Sequence, residues 1–126
     1  MKKMVYYDDY KRIVLATGLL YGLEYFIMNL GLHPTAYINL PEGMEITDDD
    51  IDVHGGITYH KNYLSVSNET ELKGNFIGWD YAHYNDYSGY MKNLPPSLSF
   101  GKRWTTKEIF EEVKEACYQI KMKGEK

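Results

Sequence analysis

Four short stretches hold the histidines, set among aspartates, glycines, prolines and tyrosines: LGLHPTAY around His33, DDDIDVHGG around Asp52 and His54, GITYHK around His60, and GWDYAHYNDY around Asp80, His83 and Asp86. Aspartate and histidine are costly to bury without a partner, and aromatic side chains mark surface that excludes water. Two chemistries fit such a mixture: a metal or catalytic centre, or a polar network that holds the fold together. Asp80 and His83 face the same way if the chain turns there, whereas a straight strand separates them. His33 and His54 supply two more nitrogens, so His33, His54, Asp80 and His83 form a set that a borderline metal such as Zn²⁺ accepts. Asp52 or Asp86 is an alternative ligand, or the carboxylate that fixes a histidine tautomer. No paired-cysteine or His-Glu-x-x-His signature of a diagnostic zinc site is present. The alternative therefore stays open, with His33 capping a turn and Asp80 and His83 satisfying backbone groups. His60, between Tyr59 and Lys61, is expected at an exposed strand position outside the set.

Other chemistries fail on pattern. Asp48, Asp50 and Asp52 alternate as in a calcium loop, but Val53 stands where the EF-hand needs glycine and Tyr59 where it needs a bidentate glutamate. A solvated acidic loop is the expectation. Neither a phosphate-binding Walker loop nor a Gly-x-Ser-x-Gly elbow occurs. The net charge of −4 comes from 18 acidic and 14 basic residues, the basic ones in small groups, which disfavours direct nucleic-acid binding through a broad basic face. Cys117 is the single cysteine, so no internal disulfide forms, as in a reducing cytoplasm. Near the N-terminus the apolar run from Ile13 is preceded by Asp8, Asp9, Lys11 and Arg12 and stops at Glu24, which predicts neither a signal peptide nor a membrane span.

The elements that must position these residues read as one α+β domain over residues 1–126, mainly an antiparallel sheet packed by one C-terminal amphipathic helix. Glycines at 18, 22 and 31 weaken a helical reading of RIVLATGLLYGLEYFIMNLG and favour a hairpin with strands at 12–17 and 23–30. His33-Pro34 then leads into a strand at 35–40 that Pro41 ends, giving a meander. Strand-like runs follow at 51–53 and 57–66, with Gly55-Gly56 between them as a bend or bulge. SNETELKGN reads as a turn before a strand at 76–81, and 86–103 as an irregular excursion. Thr105 and Glu108 form a capping box for a helix at 106–122, whose apolar stripe of Ile109, Phe110, Val113, Ala116, Cys117 and Ile120 faces the sheet. On that stripe Cys117 is a buried apolar thiol rather than a nucleophile.

In HPTAYINLP, DIDVHGGITY and GWDYAHYNDY, followed by the amphipathic helix, residues 11–122 resemble a family of small proteins encoded by phages and prophages of Gram-positive bacteria. That family is similar in turn to small metal-binding inhibitors of type II-A CRISPR nucleases. The resemblance implies a phage accessory protein, an anti-CRISPR inhibitor acting in the cytoplasm of the host cell. Such a protein blocks a host defence protein by stoichiometric binding, with a metal, zinc as the first candidate, serving structure. The family pattern includes His33, Asp52, His54, Asp80, His83 and Asp86, while residues 1–10 and 91–100 fall outside it. Tyr81, Tyr84 and Tyr87 are the aromatic residues expected at the contact surface. Two other classes compete: a metal-dependent hydrolase with Asp86 or Asp52 as base, and a structural or morphogenesis protein of the virion. Small size counts against the hydrolase, since little chain is left to build a deep substrate pocket.

Overall fold

The computed structural model describes residues 13–29, 33–67, 69–81 and 105–124. Among these residues five strands make one sheet: β1 (Ile13–Leu20), β2 (Leu23–Asn29), β3 (Pro34–Asn39), β4 (Tyr59–Ser65) and β5 (Glu71–Asp80); one described helix follows, α1 (Thr106–Gly124). Every neighbouring pair is antiparallel, in the spatial order β1-β2-β3-β5-β4. The first three strands form the expected meander. The chain then crosses to the far edge through residues 40–58, lays down β4, and returns as β5 between β4 and β3.

The β1–β2 turn is tighter than the glycines suggest. β1 runs through Gly18 to Leu20, which pairs with Leu23, so only Tyr21 and Gly22 remain in the turn. Both have positive φ, 55° and 81°, the combination that matches the twist of a two-residue hairpin. Two other segments depart from the sequence expectation. Residues 51–53 are not a strand: Ile51 and Val53 are buried while the Asp52 N–H donates to Gln119 Oε1 at 3.1 Å, so this segment packs along α1 instead of joining the sheet. SNETELKGN is mostly strand, because Glu71, Leu72 and Lys73 pair with Ser65, Leu64 and Tyr63, and the turn shrinks to the residues around the Val66 N–H to Thr70 O bond.

Alternation along the strands divides the apolar residues between the two faces of the sheet. Tyr25, Ile27, Ala36, Ile38, Ile77 and Trp79 face α1 and meet Ile109, Val113, Ala116, Cys117 and Ile120, with Leu40, Ile46, Ile51 and Val53 of the long connection closing the side. Phe26, Met28, Tyr37, Leu64 and Phe76 form a second cluster on the opposite face. Each fully buried aliphatic or aromatic side chain here contributes about 1.5–3 kcal/mol relative to exposure. The capping box closes as the sequence predicts: Thr105 Oγ1 accepts from the Glu108 N–H at 3.1 Å and Glu108 Oε1 accepts from the Thr105 N–H at 3.0 Å. No helix among the described residues is long and apolar enough to cross a membrane.

Candidate functional site

The residues singled out by their chemistry go to different faces of the sheet. Thr35 and Asp80 are register partners across β3 and β5, and with His33 they open onto the face away from α1. There, His33, Thr35, Tyr37, Thr58, Tyr59, Trp79 and Asp80 line a cavity of about 170 Å³. Gly78 makes its wall possible. Tyr37 and Tyr59 both pair with Gly78 from the two neighbouring strands, and their rings meet edge to face at 5.1 Å and 79°. A Cβ on Gly78 would lie 2.4 Å from the Tyr37 ring and 2.7 Å from the Ala36 carbonyl oxygen, so only glycine admits this arrangement without a shift. Asp80 Oδ2 accepts from the Thr58 hydroxyl at 3.3 Å, and His33 Nδ1 lies 3.5 Å from the Pro34 carbonyl oxygen.

His54 belongs to the other face. Its ring stacks on Tyr81 at 5.0 Å and 6°, and the His54 backbone N–H donates to Glu112 Oε2 at 2.9 Å. Tyr81 is fully buried, as is Trp79, and both reach the same carboxylate: Trp79 Nε1 donates to Glu112 Oε1 at 3.2 Å and to the Tyr81 oxygen at 2.9 Å, while the Tyr81 hydroxyl donates to Glu112. A buried indole N–H and a buried phenol without partners would each cost on the order of 1–3 kcal/mol, so Glu112 is what makes this aromatic core tolerable. The described part of GWDYAHYNDY is thus partly a polar network that ties β5, the 51–54 segment and α1 together. Tyr81 is therefore not a surface anchor, contrary to the expectation from sequence, because its ring fills the core beneath His54.

Of the four expected metal ligands, the structure brings His33 and Asp80 to one cavity and places His54 on the helix side; His83 lies outside the described residues, as do Asp86, Tyr84, Tyr87 and the 86–103 excursion. Asp52 is exposed on the segment along α1. Among the described residues no group of three or more His, Cys, Asp or Glu side chains is arranged to hold a metal ion. The acidic run builds its own loop. Asp48 Oδ1 accepts from the Ile57 N–H at 2.7 Å, and Asp50 accepts from the Thr47 N–H at 2.8 Å and pairs with Lys123 at 2.9 Å. The Lys123 hydrogen bond, with that of the Thr47 backbone, holds the Asp50 carboxyl below its ordinary value. Burial pushes the Cys117 thiol up to about 12, which leaves it no thiolate at neutral pH.

Sequence reasoning missed Glu112 and Thr35. Glu112 carried a readable signal: it stands between Ile109 and Ala116 on the apolar stripe of α1, where a carboxylate needs buried donors. Thr35 is 3% exposed and its hydroxyl has no hydrogen-bond partner among the described residues, and nothing local in the sequence marks it.

A separate surface gathers at the β1 edge. Val14, Leu15, Leu19, Tyr21, Tyr118 and Met122 are the exposed large apolar side chains among the described residues, and they sit on β1, its turn and the last two turns of α1. Tyr21 meets Tyr118 edge to face at 5.7 Å. Leu19, 72% exposed, is opposite Glu24 and lies on the other face of the sheet, beside an open hollow of about 550 Å³ that also includes Leu23, Asn39 and Pro41. Comparison of the chain with known protein families, with curated proteins and with solved structures returns no match.

Proposed function

We propose that this chain is a non-enzymatic, stoichiometric binding protein that engages its partner along the β1 edge. The observation that carries the reading is the gathering of Leu15, Leu19, Tyr21, Tyr118 and Met122 around one strand edge. Apolar side chains on both faces beside that edge suit a partner segment laid against β1, since an added strand extends both faces of a sheet at once. Tyr21 supports it further: a bulky residue at φ 55° is strained, and such strain is kept where a side chain must be held in one place.

The partner in this proposal is a host defence protein, and the phage-family resemblance makes a type II-A CRISPR nuclease the first to test. The experiment titrates the chain into a DNA-cleavage assay. Inhibition that rises linearly and saturates at one chain per nuclease supports sequestration. Blockade by far less than an equimolar amount indicates turnover and contradicts it, and cleavage unaffected at any ratio removes this partner. Leu19→Asp, at a solvent-exposed position, should weaken inhibition without unfolding the chain.

A further inference from the structure

Because Tyr21 and Gly22 close the first hairpin as a two-residue turn, Leu20 and Leu23 form a hydrogen-bonded pair through their own backbone groups. Alternation along an antiparallel pair then turns the N–H and C=O groups of Leu19 and Thr17 outward, away from β2. Beside this edge lies α1, which packs over β1, β2 and β3. Its Phe110 meets Tyr25, and its Tyr118 meets Tyr21, each at 5.7 Å. Phe110 and Tyr118 are about 12 Å apart along the helix, and Gly18, the register partner of Tyr25, is about 10 Å from Tyr21 along the strand. Helix and strand edge therefore run side by side.

Lys114 stands midway between Phe110 and Tyr118 at four-residue spacing, on the flank of α1 that faces this edge, and Lys107 shares that flank two turns earlier. Both lysines are exposed, and neither has a hydrogen bond or ion pair among the described residues. Lys121, next in the row, already has a partner and is not called on. Glu111 and Glu115 lie farther round toward solvent. Tyr25 adds an independent observation. A Cβ on Gly18 would lie 3.3 Å from the Tyr25 ring and 3.3 Å from its hydroxyl oxygen, so the phenol reaches over the bare backbone of the edge strand. Tyr25 is 8% exposed, yet its hydroxyl has no hydrogen-bond partner among the described residues. A buried phenol ordinarily finds one.

From these positions we propose that the partner segment laid against β1 carries an aspartate or glutamate opposite Gly18, an inference that rests on the β1 edge being the binding surface. The segment's backbone pairs with the outward groups of Thr17 and Leu19, and its carboxylate accepts from the Tyr25 hydroxyl and the Lys114 ammonium. The residues before and after that acid point to the other face, beside the exposed Leu19, and are apolar. A lysine or arginine in place of the acid would meet Lys114 and Lys107. An apolar residue there would leave the Tyr25 hydroxyl as it is.

The test titrates the full chain, followed by NMR, with three short peptides in which valine alternates with threonine around a central glutamate, glutamine or lysine. Both ends are capped, so a side chain is the only source of a carboxylate. The glutamate peptide should give saturable amide shifts at residues 15–20 with a dissociation constant on the order of 0.1 mM, and the other two should bind roughly tenfold more weakly or worse. Lys114→Glu, at an exposed position, should reverse the order of the glutamate and lysine peptides. Tyr25→Phe should weaken the glutamate peptide roughly three- to tenfold with an unchanged melting curve. Equal or tighter binding of the glutamine or lysine peptide at residues 15–20, or an unchanged order in Lys114→Glu, would overturn the carboxylate and leave β1 as the binding edge. Shifts confined to β4, or none from any peptide, would overturn both.

Discussion

The two edges of the sheet handle the same liability in opposite ways. An edge strand presents unpaired backbone groups and invites another strand. On β4 the exposed residues are His60, Lys61 and Asn62, and the register shift near them is taken up inside the sheet, where Gly74 and Asn75 of β5 stand against Asn62. Lys61 also lies over the rings of Tyr59 and Tyr63, at 5.7 and 5.5 Å, so its charge stays at the edge. A lysine there discourages pairing. On β1 the extra residue is Leu15 itself, exposed and apolar, with Leu19 and Tyr21 farther along the same strand and turn. One edge is protected by charge, and the other is furnished for contact. The difference is what singles out β1 as the proposed binding edge, without reference to any partner.

The most severe way to break this contrast is to remove what holds α1, and with it Tyr118, beside the β1 turn. Glu112→Ala removes the buried acceptor that the Trp79 indole and the Tyr81 hydroxyl share, leaving Trp79 its bond to the Tyr81 oxygen. Chemical denaturation should show a loss of about 2 kcal/mol or more, the cost of taking a shared buried acceptor from that pair of donors. A smaller loss would mean that water reaches those groups. Next in size, Leu19→Asp and Leu15→Lys should each weaken partner binding by roughly thirtyfold, about 2 kcal/mol, with an unchanged melting curve. The matched control on the other edge, Lys61→Ile, should leave binding intact and increase self-association, measured by light scattering.

Tyr21→Asn sharpens the comparison further. Asparagine tolerates the left-handed conformation, which relieves about 1 kcal/mol of backbone strain, against the loss of a half-exposed edge-to-face contact worth at most about as much. Tm should hold level or rise while affinity falls, as seen by calorimetry and a binding titration. A fall in both would make Tyr21 a structural residue. The smallest effect concerns acid. The Lys123 hydrogen bond lowers the Asp50 carboxyl in the folded chain from 3.8, so this group contributes stability above that value and loses it as pH falls through the folded one. Asp50→Asn should therefore cost a small amount of stability at neutral pH, small because the pair is exposed, and that difference from the parent chain should vanish as pH falls well below 3.8.

How far the sequence foretold all this depends on how local each cause is. The capping box, the stripe of α1 and the presence of the first hairpin follow from neighbouring residues, and the structure has them, although pairing through Gly18 to Leu20 narrows the hairpin turn to Tyr21 and Gly22. The first half of β5 was hidden because Glu71, Lys73 and Gly74 look like a turn; their strand geometry comes from pairing with β4. Residues 51–53 carry a strand's apolar pattern, yet they pack along α1, where Asp52 bonds Gln119, 67 residues away in the chain. Asp80 stood out by its type, and the structure places it beside His33 on one cavity, whereas Thr35 joins them only because register places it opposite Asp80. Tyr81 misled, since its polar neighbours suggest surface while Glu112 supplies the buried acceptor from another element.

The contrast between the edges is tested most directly by hydrogen–deuterium exchange of the chain, free and saturated with the nuclease. Binding along β1 predicts new protection in residues 14–21 and on α1 around Tyr118, with β4 amides exchanging as in the free chain. Protection of residues 60–65, with β1 unchanged in a demonstrated complex, would contradict it.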